Sequence, residues 1–237
     1  MAGRYPEERV ALPMACQRWQ SLSFLHWPYD PAEVERLLPE GLSVDTHDGA
    51  AWVGLTPFVL VGFRVLCLPA VPVVSTFPET NVRTYVRADN GRDGLWFLSL
   101  DVSRLAAALG ARGALWAPYH WASMSVEEGP VVRYRSRRRT GRTPLPGHDI
   151  VVRSGPPLGA DRTPLVDFLT GRWRAFTRIA GRLVTVPVEH EPWPLFDADV
   201  LECHEDLVEA VGLPAPREAP VAHFSPGVNV RLGLPTL

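Results

Sequence analysis

Short stretches rich in β-branched and aromatic residues recur along the chain, and most are bounded by glycine, proline, asparagine or aspartate. This pattern is typical of β-strands separated by turns. It predicts strands at Gln17–Trp27, Ala50–Val65, Asn81–Ala88, Leu95–Asp101, His120–Val126, Val131–Arg138, Asp149–Arg153, Leu183–Glu189 and His223–Leu232.

Four segments have helical features, either a capping residue at the start or apolar residues at helical spacing. In the pair Asp30-Pro31, for example, the aspartate can accept a backbone N–H and the proline fits the first turn. The predicted helices are Pro31–Leu38, Ser103–Ala111, Pro164–Thr170 and Glu205–Val211. Many strands with a few short helices predict an α+β fold that is mostly β.

The 237 residues are enough for one large domain with a sizeable core. Strand patterns continue on both sides of each proline-rich stretch, so these stretches are interpreted as loops rather than as domain linkers. We expect a flexible N-terminal segment over residues 1–14 and a single domain over residues 15–237.

All 24 basic residues are arginine, and against 26 acidic residues they give a net charge of −2. The absence of lysine excludes Schiff-base catalysis, a pyridoxal phosphate aldimine and a phosphate-loop lysine, because a guanidinium cannot replace the amine. The slightly acidic balance gives no whole-chain attraction to nucleic acid or to an anionic membrane. We expect no cofactor, no nucleic-acid partner and no membrane partner.

The three cysteines, Cys16, Cys67 and Cys203, are odd in number and far apart, which disfavours a secreted disulfide framework. The N-terminus has no continuous apolar signal region. The most apolar stretch, Gly54–Phe63, covers about ten residues, whereas a membrane helix needs about twenty. We therefore expect a soluble, cytoplasmic protein, and a homo-oligomer is compatible with the sequence.

The segment Pro78–Val86 carries polar residues at alternate positions. If it is extended, Glu79, Asn81, Arg83 and Tyr85 share one face and β-branched residues occupy the other. One interpretation is a solvated outer face. The other places the polar row inside a barrel, where Arg83 is paired with Glu79 and offered to an anionic ligand. The spacing alone does not decide between them.

A phenol and an imidazole stand side by side at Tyr119 and His120, among the aromatic residues of Trp116–Trp121. Histidine titrates near neutrality and tyrosine can donate to a developing oxyanion, so both are candidates for proton transfer. Because neighbours on a strand point to opposite faces, at most one should face a given cavity. The alternative is a half-buried aromatic strand edge.

The segment Val131–Arg142 contains six arginines, and its simplest interpretation is a solvated hairpin in which they pair with nearby acids. His190-Glu191 and His204-Glu205 lack a second histidine at ligand spacing, so we expect no metal site. Nucleophile-elbow, dinucleotide and phosphate-loop motifs are absent from the sequence.

Several motifs together resemble the YqjF-like family of uncharacterised proteins, DUF2071. They are RWQSLSFLHWP (Arg18–Pro28), LLPEGL (Leu37–Leu42), AWVGLTPF (Ala51–Phe58), FPETNVRTYV (Phe77–Val86), WFLSLD (Trp96–Asp101), PYHWASMSV (Pro118–Val126), YRSRR (Tyr134–Arg138) and HEPWPL (His190–Leu195). The resemblance covers almost the whole chain after about residue 15.

That family is similar to the acetoacetate decarboxylase-like superfamily. The resemblance implies a closed, cone-shaped antiparallel β-barrel with a ligand cavity and a few peripheral helices. It therefore favours the interior placement of the Glu79 to Tyr85 row. Acetoacetate decarboxylases carry a lysine pair where this chain resembles them at Pro118-Tyr119-His120, so Tyr119 stands in place of the Schiff-base lysine. Imine-dependent decarboxylation is thus not expected.

The leading hypothesis is a barrel that binds a small organic carboxylate or carbonyl compound. Arg83 would anchor the anion, and Glu79, Asn81, Tyr85, Tyr119 and His120 would provide the polar lining. A second hypothesis is a lysine-independent isomerase, cyclase or decarboxylase, with Tyr119, His120 and Glu79 as catalytic candidates. A third is a protein-interaction module that uses the arginine-rich hairpin.

Overall fold

The computed structural model describes residues 3–66, 69, 75–104, 118–141, 143–159 and 162–237. Within these ranges it contains one 13-stranded sheet and three short helices. The strands are β1 (Pro13–Tyr29), β2 (Leu42–Val44), β3 (Thr46–His47), β4 (Ala50–Val65), β5 (Phe77–Ala88), β6 (Asp93–Val102), β7 (Tyr119–Glu127), β8 (Val132–Arg138), β9 (Gly147–Pro157), β10 (Arg174–Ile179), β11 (Arg182–His190), β12 (Phe196–Glu205) and β13 (Val221–Gly233). The helices are α1 (Pro31–Glu35), α2 (Pro164–Thr170) and α3 (Leu207–Ala210).

The nine predicted strands correspond to β1, β4, β5, β6, β7, β8, β9, β11 and β13. The predicted helix over Pro164–Thr170 is confirmed, and its cap is Thr163, whose side chain accepts from the Val166 N–H. Two other helices are shorter than predicted, because α1 ends at Glu35 and β12 continues to Glu205 before α3. The predicted helix Ser103–Ala111 falls almost wholly outside the described residues.

The sheet closes on itself through β6 and β13, each of which has three partner strands. One edge of β6 pairs with β5, while its other edge pairs with β10 near Leu95 and with β7 near Leu100. In the same way β13 pairs with β1 along one edge and with β12 and then β11 along the other. The strands β13, β1, β4, β5 and β6 therefore belong both to a nine-strand barrel with β7, β8, β9 and β12 and to a seven-strand ring with β10 and β11.

This closed, mostly β barrel with few helices is the predicted fold class. The pairings β6–β7 and β10–β6 are parallel, whereas the other strand pairings are antiparallel. No helix in the described ranges combines the length and apolar character needed to cross a bilayer.

The five shared strands are covered on both faces because each face points into a different ring. On one face, Leu55 and Val82 pack with Val132 and Ile150 of the nine-strand barrel. On the other face, Phe58 and other apolar residues pack with Val188 of β11 and with Trp193. A polar side chain on either face of the middle of β5 is consequently removed from bulk water.

The first residues of the chain contact the seven-strand ring. The Trp173 indole N–H donates to the Gly3 carbonyl at 2.8 Å, and Arg174 forms an ion pair with Glu7. Farther along, the Val10 N–H donates to the Glu189 carboxylate at 2.7 Å. The segment predicted to be flexible thus runs across one end of the barrel, beside α2 and β10.

Strand β1 bends at Ser21, which has a positive φ of 48°. The bend is fixed across the nine-strand barrel by Tyr134, whose hydroxyl donates to the Ser21 carbonyl at 2.7 Å. Since the phenol has a single proton, Ser23 must donate to Tyr134 at 2.9 Å. This contact maintains a bend that the left-handed backbone of a non-glycine residue would otherwise disfavour.

Replacing Tyr134 with phenylalanine should therefore destabilise the protein by about 1–3 kcal/mol, because the Ser21 carbonyl loses a buried partner. Urea unfolding followed by tryptophan fluorescence measures this difference. Tyr5→Phe, at an exposed position, serves as the control and should have no measurable effect. Equal stabilities of the two variants would show that Tyr134 does not fix the bend.

Candidate functional site

Strand β5 carries the predicted polar row, named here the polar face (Glu79, Asn81, Arg83 and Tyr85). These side chains are 7%, 5%, 7% and 0% exposed, so the solvated alternative is wrong. The β-branched face is also buried, since β5 belongs to both rings. Burial of the polar face is therefore a property of the topology, and its role in ligand binding stays a prediction.

Arg83 lies opposite Gly54 of β4 and opposite Phe97 of β6. Its Nη2 is 3.5 Å from the Leu169 carbonyl at the end of α2, and its guanidinium carbon is 5.3 Å from the centre of the Phe24 ring. Its Nε has no hydrogen-bond partner in the part of the chain that the structure describes. Among the described residues no carboxylate lies within ion-pair distance of this buried cation.

The other buried arginines of the structure have counterions. Arg138 donates to Asp101 at 2.9 Å, and Arg172 contacts Asp45 at 2.8 Å and Asp93 at 2.7 Å. Among the described residues, a carbonyl, an aromatic ring and the neighbouring Tyr85 accompany the charge of Arg83 in place of a carboxylate. A buried guanidinium in this situation is available to an anion from outside the chain.

The predicted ion pair between Glu79 and Arg83 is absent, and that prediction is wrong. The two residues are four positions apart along an extended strand, which separates their Cα atoms by roughly 13 Å. Glu79 instead lies opposite Phe58 and Val102, and burial raises the pKa of its carboxyl to about 8. The side chain is therefore mostly protonated and uncharged near pH 7, and it cannot neutralise Arg83.

The Tyr85 hydroxyl forms hydrogen bonds with two neighbouring groups. It donates to the Leu169 carbonyl at 2.6 Å and is 2.8 Å from His26 Nε2. Because the phenol proton is used for the carbonyl, the His26 Nε2–H must be the donor to Tyr85. Burial, followed by the nearby charge of Arg83, lowers the pKa of His26 and keeps the imidazole neutral. Tyr85 and His26 thus form a support for the end of α2 beside Arg83.

Gly54 provides the room for this arrangement. It lies in register with both His26 and Arg83, so the three residues form one row across β1, β4 and β5. A Cβ atom at position 54 would come within 2.8 Å of the His26 ring and 3.5 Å of Arg83 Cγ. The sequence interpretation missed both Gly54 and His26, although a glycine inside a strand is a known signal of close approach.

A second row of polar groups lies next to Arg83 on the same face. Thr56, Asn81, Leu100 and Tyr119 are in register across β4, β5, β6 and β7. The Thr56 hydroxyl and the Asn81 side-chain carbonyl are buried and, like Arg83 Nε, have no hydrogen-bond partner among the described residues. Three unpartnered polar atoms on adjacent positions of one face are a suitable set of contacts for a polar ligand.

Tyr119 and His120 are separated by the sheet, as their adjacency predicts. Tyr119 shares the face of Asn81, and burial raises its pKa, with the charge of Glu79 as a second cause. His120 lies opposite Asp101 on the other face. The structure therefore places Tyr119 with the polar face and separates His120 from it.

Aromatic residues that the sequence interpretation did not select enclose this side of the sheet. Trp193 packs edge-on against Phe24 with ring centres 5.2 Å apart, and stacks on Trp19 at 5.9 Å. Its indole N–H donates to the Thr170 carbonyl at 3.1 Å, which connects the segment after β11 to α2. These contacts form an apolar wall beside Arg83.

The arginine-rich segment pairs with acids, as its simpler interpretation predicts. Arg133 contacts Asp149 at 2.7 Å and Glu202 at 3.2 Å, while Arg135 pairs with Glu127 and Asp149. Arg142 falls outside the described residues. Within the described ranges, no group of three histidine, cysteine or acidic side chains could hold a metal ion.

A family model, DUF2071, described as an uncharacterized conserved protein, matches residues 16–229. A curated relative, the uncharacterized protein YqjF of Bacillus subtilis (strain 168), is 32% identical over 230 residues. The match covers 95% of this chain and 94% of the relative.

Solved structures with other names share the fold. The acetoacetate decarboxylase of Legionella pneumophila is 13% identical with a TM-score of 0.65, covering 100% of this chain and 93% of that one. The enduracididine biosynthesis enzyme MppR, complexed with pyruvate, is 14% identical with a TM-score of 0.63, covering 98% and 93%. At these identities the similarity shows the fold alone, and it confirms the predicted acetoacetate decarboxylase-like barrel.

The raised pKa of Glu79 should make the protein less stable as the pH rises. The folded-state value of about 8 lies above the ordinary 4.5, so this contribution is complete below pH 4.5 and is lost as the pH approaches 8. Between pH 6.5 and 8 the wild type should lose about 1.5 kcal/mol more than Glu79→Gln. Urea unfolding at several pH values measures the two slopes.

Glu40→Gln removes an exposed carboxyl and is the matched control, which should keep the wild-type slope. If Glu79→Gln also kept that slope, the Glu79 carboxyl would be ionised in the folded protein at neutral pH.

Proposed function

This chain belongs to the DUF2071 family of uncharacterized conserved proteins, and we propose that it binds a small organic carboxylate or carbonyl compound against the polar face of β5. The observation that carries the proposal is the buried guanidinium of Arg83, which has no counterion among the described residues. The ligand carboxylate would accept from the free Nε–H and the adjacent Nη2 as a two-point contact.

The free-energy cost of burying an unpaired charge supports this proposal. An uncompensated buried charge costs several kcal/mol, and a fold retains it only when the cost is offset elsewhere. Binding an anion supplies the missing counterion, in a low-dielectric surrounding that strengthens the attraction. The aromatic wall of Phe24 and Trp193 excludes water from the same region.

The rest of the polar face would recognise the remainder of the ligand. Protonated Glu79 can donate to a ligand carbonyl, and the Asn81 carbonyl and the Thr56 hydroxyl can satisfy a hydroxyl or a hydrated group. Tyr119 is a further donor on this face. Keto acids combine a carboxylate with a carbonyl and are the compounds that such a set fits best.

Pyruvate is the first probe to use, since MppR, which has a similar fold, is described as complexed with it. Arg83→Gln should weaken pyruvate binding at least tenfold in isothermal titration calorimetry, because the anion loses its charged donor. The unliganded variant should melt at or above the wild-type temperature, since it no longer buries an unpaired charge.

Arg87→Gln is the control on the same strand, because Arg87 is partly exposed and pairs with Asp45 at 3.1 Å. It should leave pyruvate affinity unchanged. If Arg83→Gln bound pyruvate and other keto acids as the wild type does, Arg83 would not be the anion anchor. A large fall in the melting temperature of Arg83→Gln would assign that residue a structural role instead.

A second candidate function, acid–base catalysis without lysine, is favoured by one observation, the pKa of about 8 at Glu79. A group that titrates near neutral pH can both give and take a proton. Placed on the face that holds Arg83, it could remove a proton from the carbon next to a ligand carbonyl. Tyr119 or Arg83 would then stabilise the enolate oxygen.

Pyruvate also tests this candidate in deuterium oxide, where proton NMR records loss of the methyl signal. Enolisation transfers a methyl proton to the Glu79 carboxylate, and a solvent deuteron returns to the carbon. The exchange rate should rise with pH towards about 8, as the carboxylate forms. Glu79→Gln should slow it at least a hundredfold. Exchange no faster than in protein-free buffer would leave binding as the function.

A further inference from the structure

An open groove lies on the surface at the beginning of β1, where this strand runs between β4 and β13. Its volume is about 580 Å³. We name it the β1 groove, defined by Cys16, Arg18, Val61, Arg64, Val230 and Arg231. Cys16 is ten residues before His26 on β1, roughly 30 Å along the strand, so this groove is separate from the polar face.

Strand register gathers three arginines in this groove. Cys16 lies directly opposite Arg64 on one side and directly opposite Arg231 on the other. Directly opposed residues have Cβ atoms about 5 Å apart and point to the same face. Arg18, two residues along β1, shares that face. The three guanidiniums therefore surround the half-buried Cys16 side chain.

Among the described residues, no acid lies within ion-pair distance of these arginines, unlike the arginines of β8. Within the described part of the chain, Arg18 and Arg64 have neither a hydrogen bond nor an ion pair to another residue. Arg231 makes one contact of 3.4 Å, with the Ala11 carbonyl. Two carboxylates lie nearby, since Glu189 is directly opposite Arg231 and Glu191 accepts from Asn229 of the groove lining. The three cations outnumber them, and the net positive charge favours an anionic occupant.

Apolar surface adjoins the cationic wall at the same strand ends. Val61 lines the groove itself. Leu12, Leu66 and Leu234 lie just beyond it and are 77%, 63% and 53% exposed. Large apolar side chains that are exposed together commonly mark a binding surface. Here they stand next to the three positive charges.

We propose that the β1 groove binds an amphiphilic anion, with its acidic head on Arg18, Arg64 and Arg231 and its apolar tail over the adjoining leucine and valine side chains. The positive charges of the arginines favour a negatively charged head, and the apolar side chains at the strand ends favour an apolar tail. The occupant is a free single-chain molecule rather than a bilayer, because the arginines line a groove of about 580 Å³, which is the size of a site for one small molecule.

Octanoate is the probe, and isothermal titration calorimetry is the measurement. Acetate has the same charge without the tail, and 1-octanol has the tail without the charge, so each should bind at least tenfold more weakly. Arg64→Gln and Arg231→Gln should each weaken octanoate binding roughly tenfold. Arg153→Gln, at an exposed arginine 4.0 Å from Asp199, is the matched control and should bind octanoate like the wild type.

Alkylation of Cys16 locates the bound probe. Octanoate should slow the reaction of Cys16 with iodoacetamide, read by mass spectrometry, and should leave the rate at Cys203 unchanged. Arg83→Gln should retain both octanoate binding and this protection, which separates the groove from the polar face.

Three results would overturn the proposal. The first is unchanged octanoate affinity in Arg64→Gln and Arg231→Gln. The second is loss of octanoate binding in Arg83→Gln. The third is binding to phosphatidylglycerol vesicles, but not to phosphatidylcholine vesicles or to octanoate, which would assign the surface to a membrane.

Discussion

The guanidinium of Arg83 is buried on one covered face of a sheet, and no acid among the described residues lies close enough to neutralise it. Its position follows from the topology, because β5 is shared by a nine-strand barrel and a seven-strand ring. Residues on either face of β5 are enclosed, so a charge placed there must find its counterion inside the protein. Arg138 and Arg172 find one in nearby aspartates, whereas Arg83 meets a carbonyl and an aromatic ring.

The surroundings of Arg83 keep it in place and keep it unpaired. Gly54 gives the His26 ring its room beside Arg83, and the Tyr85 hydroxyl fixes both His26 and the end of α2. Glu79 could supply a negative charge only if it were ionised, and burial opposes that. The same low-dielectric interior thus makes Arg83 costly and prevents the nearest acid on its face from compensating it.

Much of the fold could be predicted from local pattern, since nine strands show β-branched and aromatic runs. β12 was not predicted, because its acidic residues give it the composition of a loop. They are Asp197, Asp199, Glu202 and Glu205. One edge of β12 nevertheless pairs with β9. β2 and β3 are three and two residues long, too short for a periodic signal. The pairing of strands that are distant in sequence places Gly54, His26 and Tyr119 near Arg83. Local spacing along the sequence does not contain this information.

For the site, alternation along β5 predicted which four side chains share a face, and only the closure of the barrel decided that this face is buried. The expected Glu79–Arg83 ion pair does not form, because four residues of extended chain separate the two Cα atoms by roughly 13 Å. The most direct test is a crystal structure grown with pyruvate. The account predicts its carboxylate about 3 Å from Arg83 Nε and Nη2, inside the seven-strand ring. A pyruvate bound elsewhere, or an Arg83 paired with an acid of this chain, would contradict it.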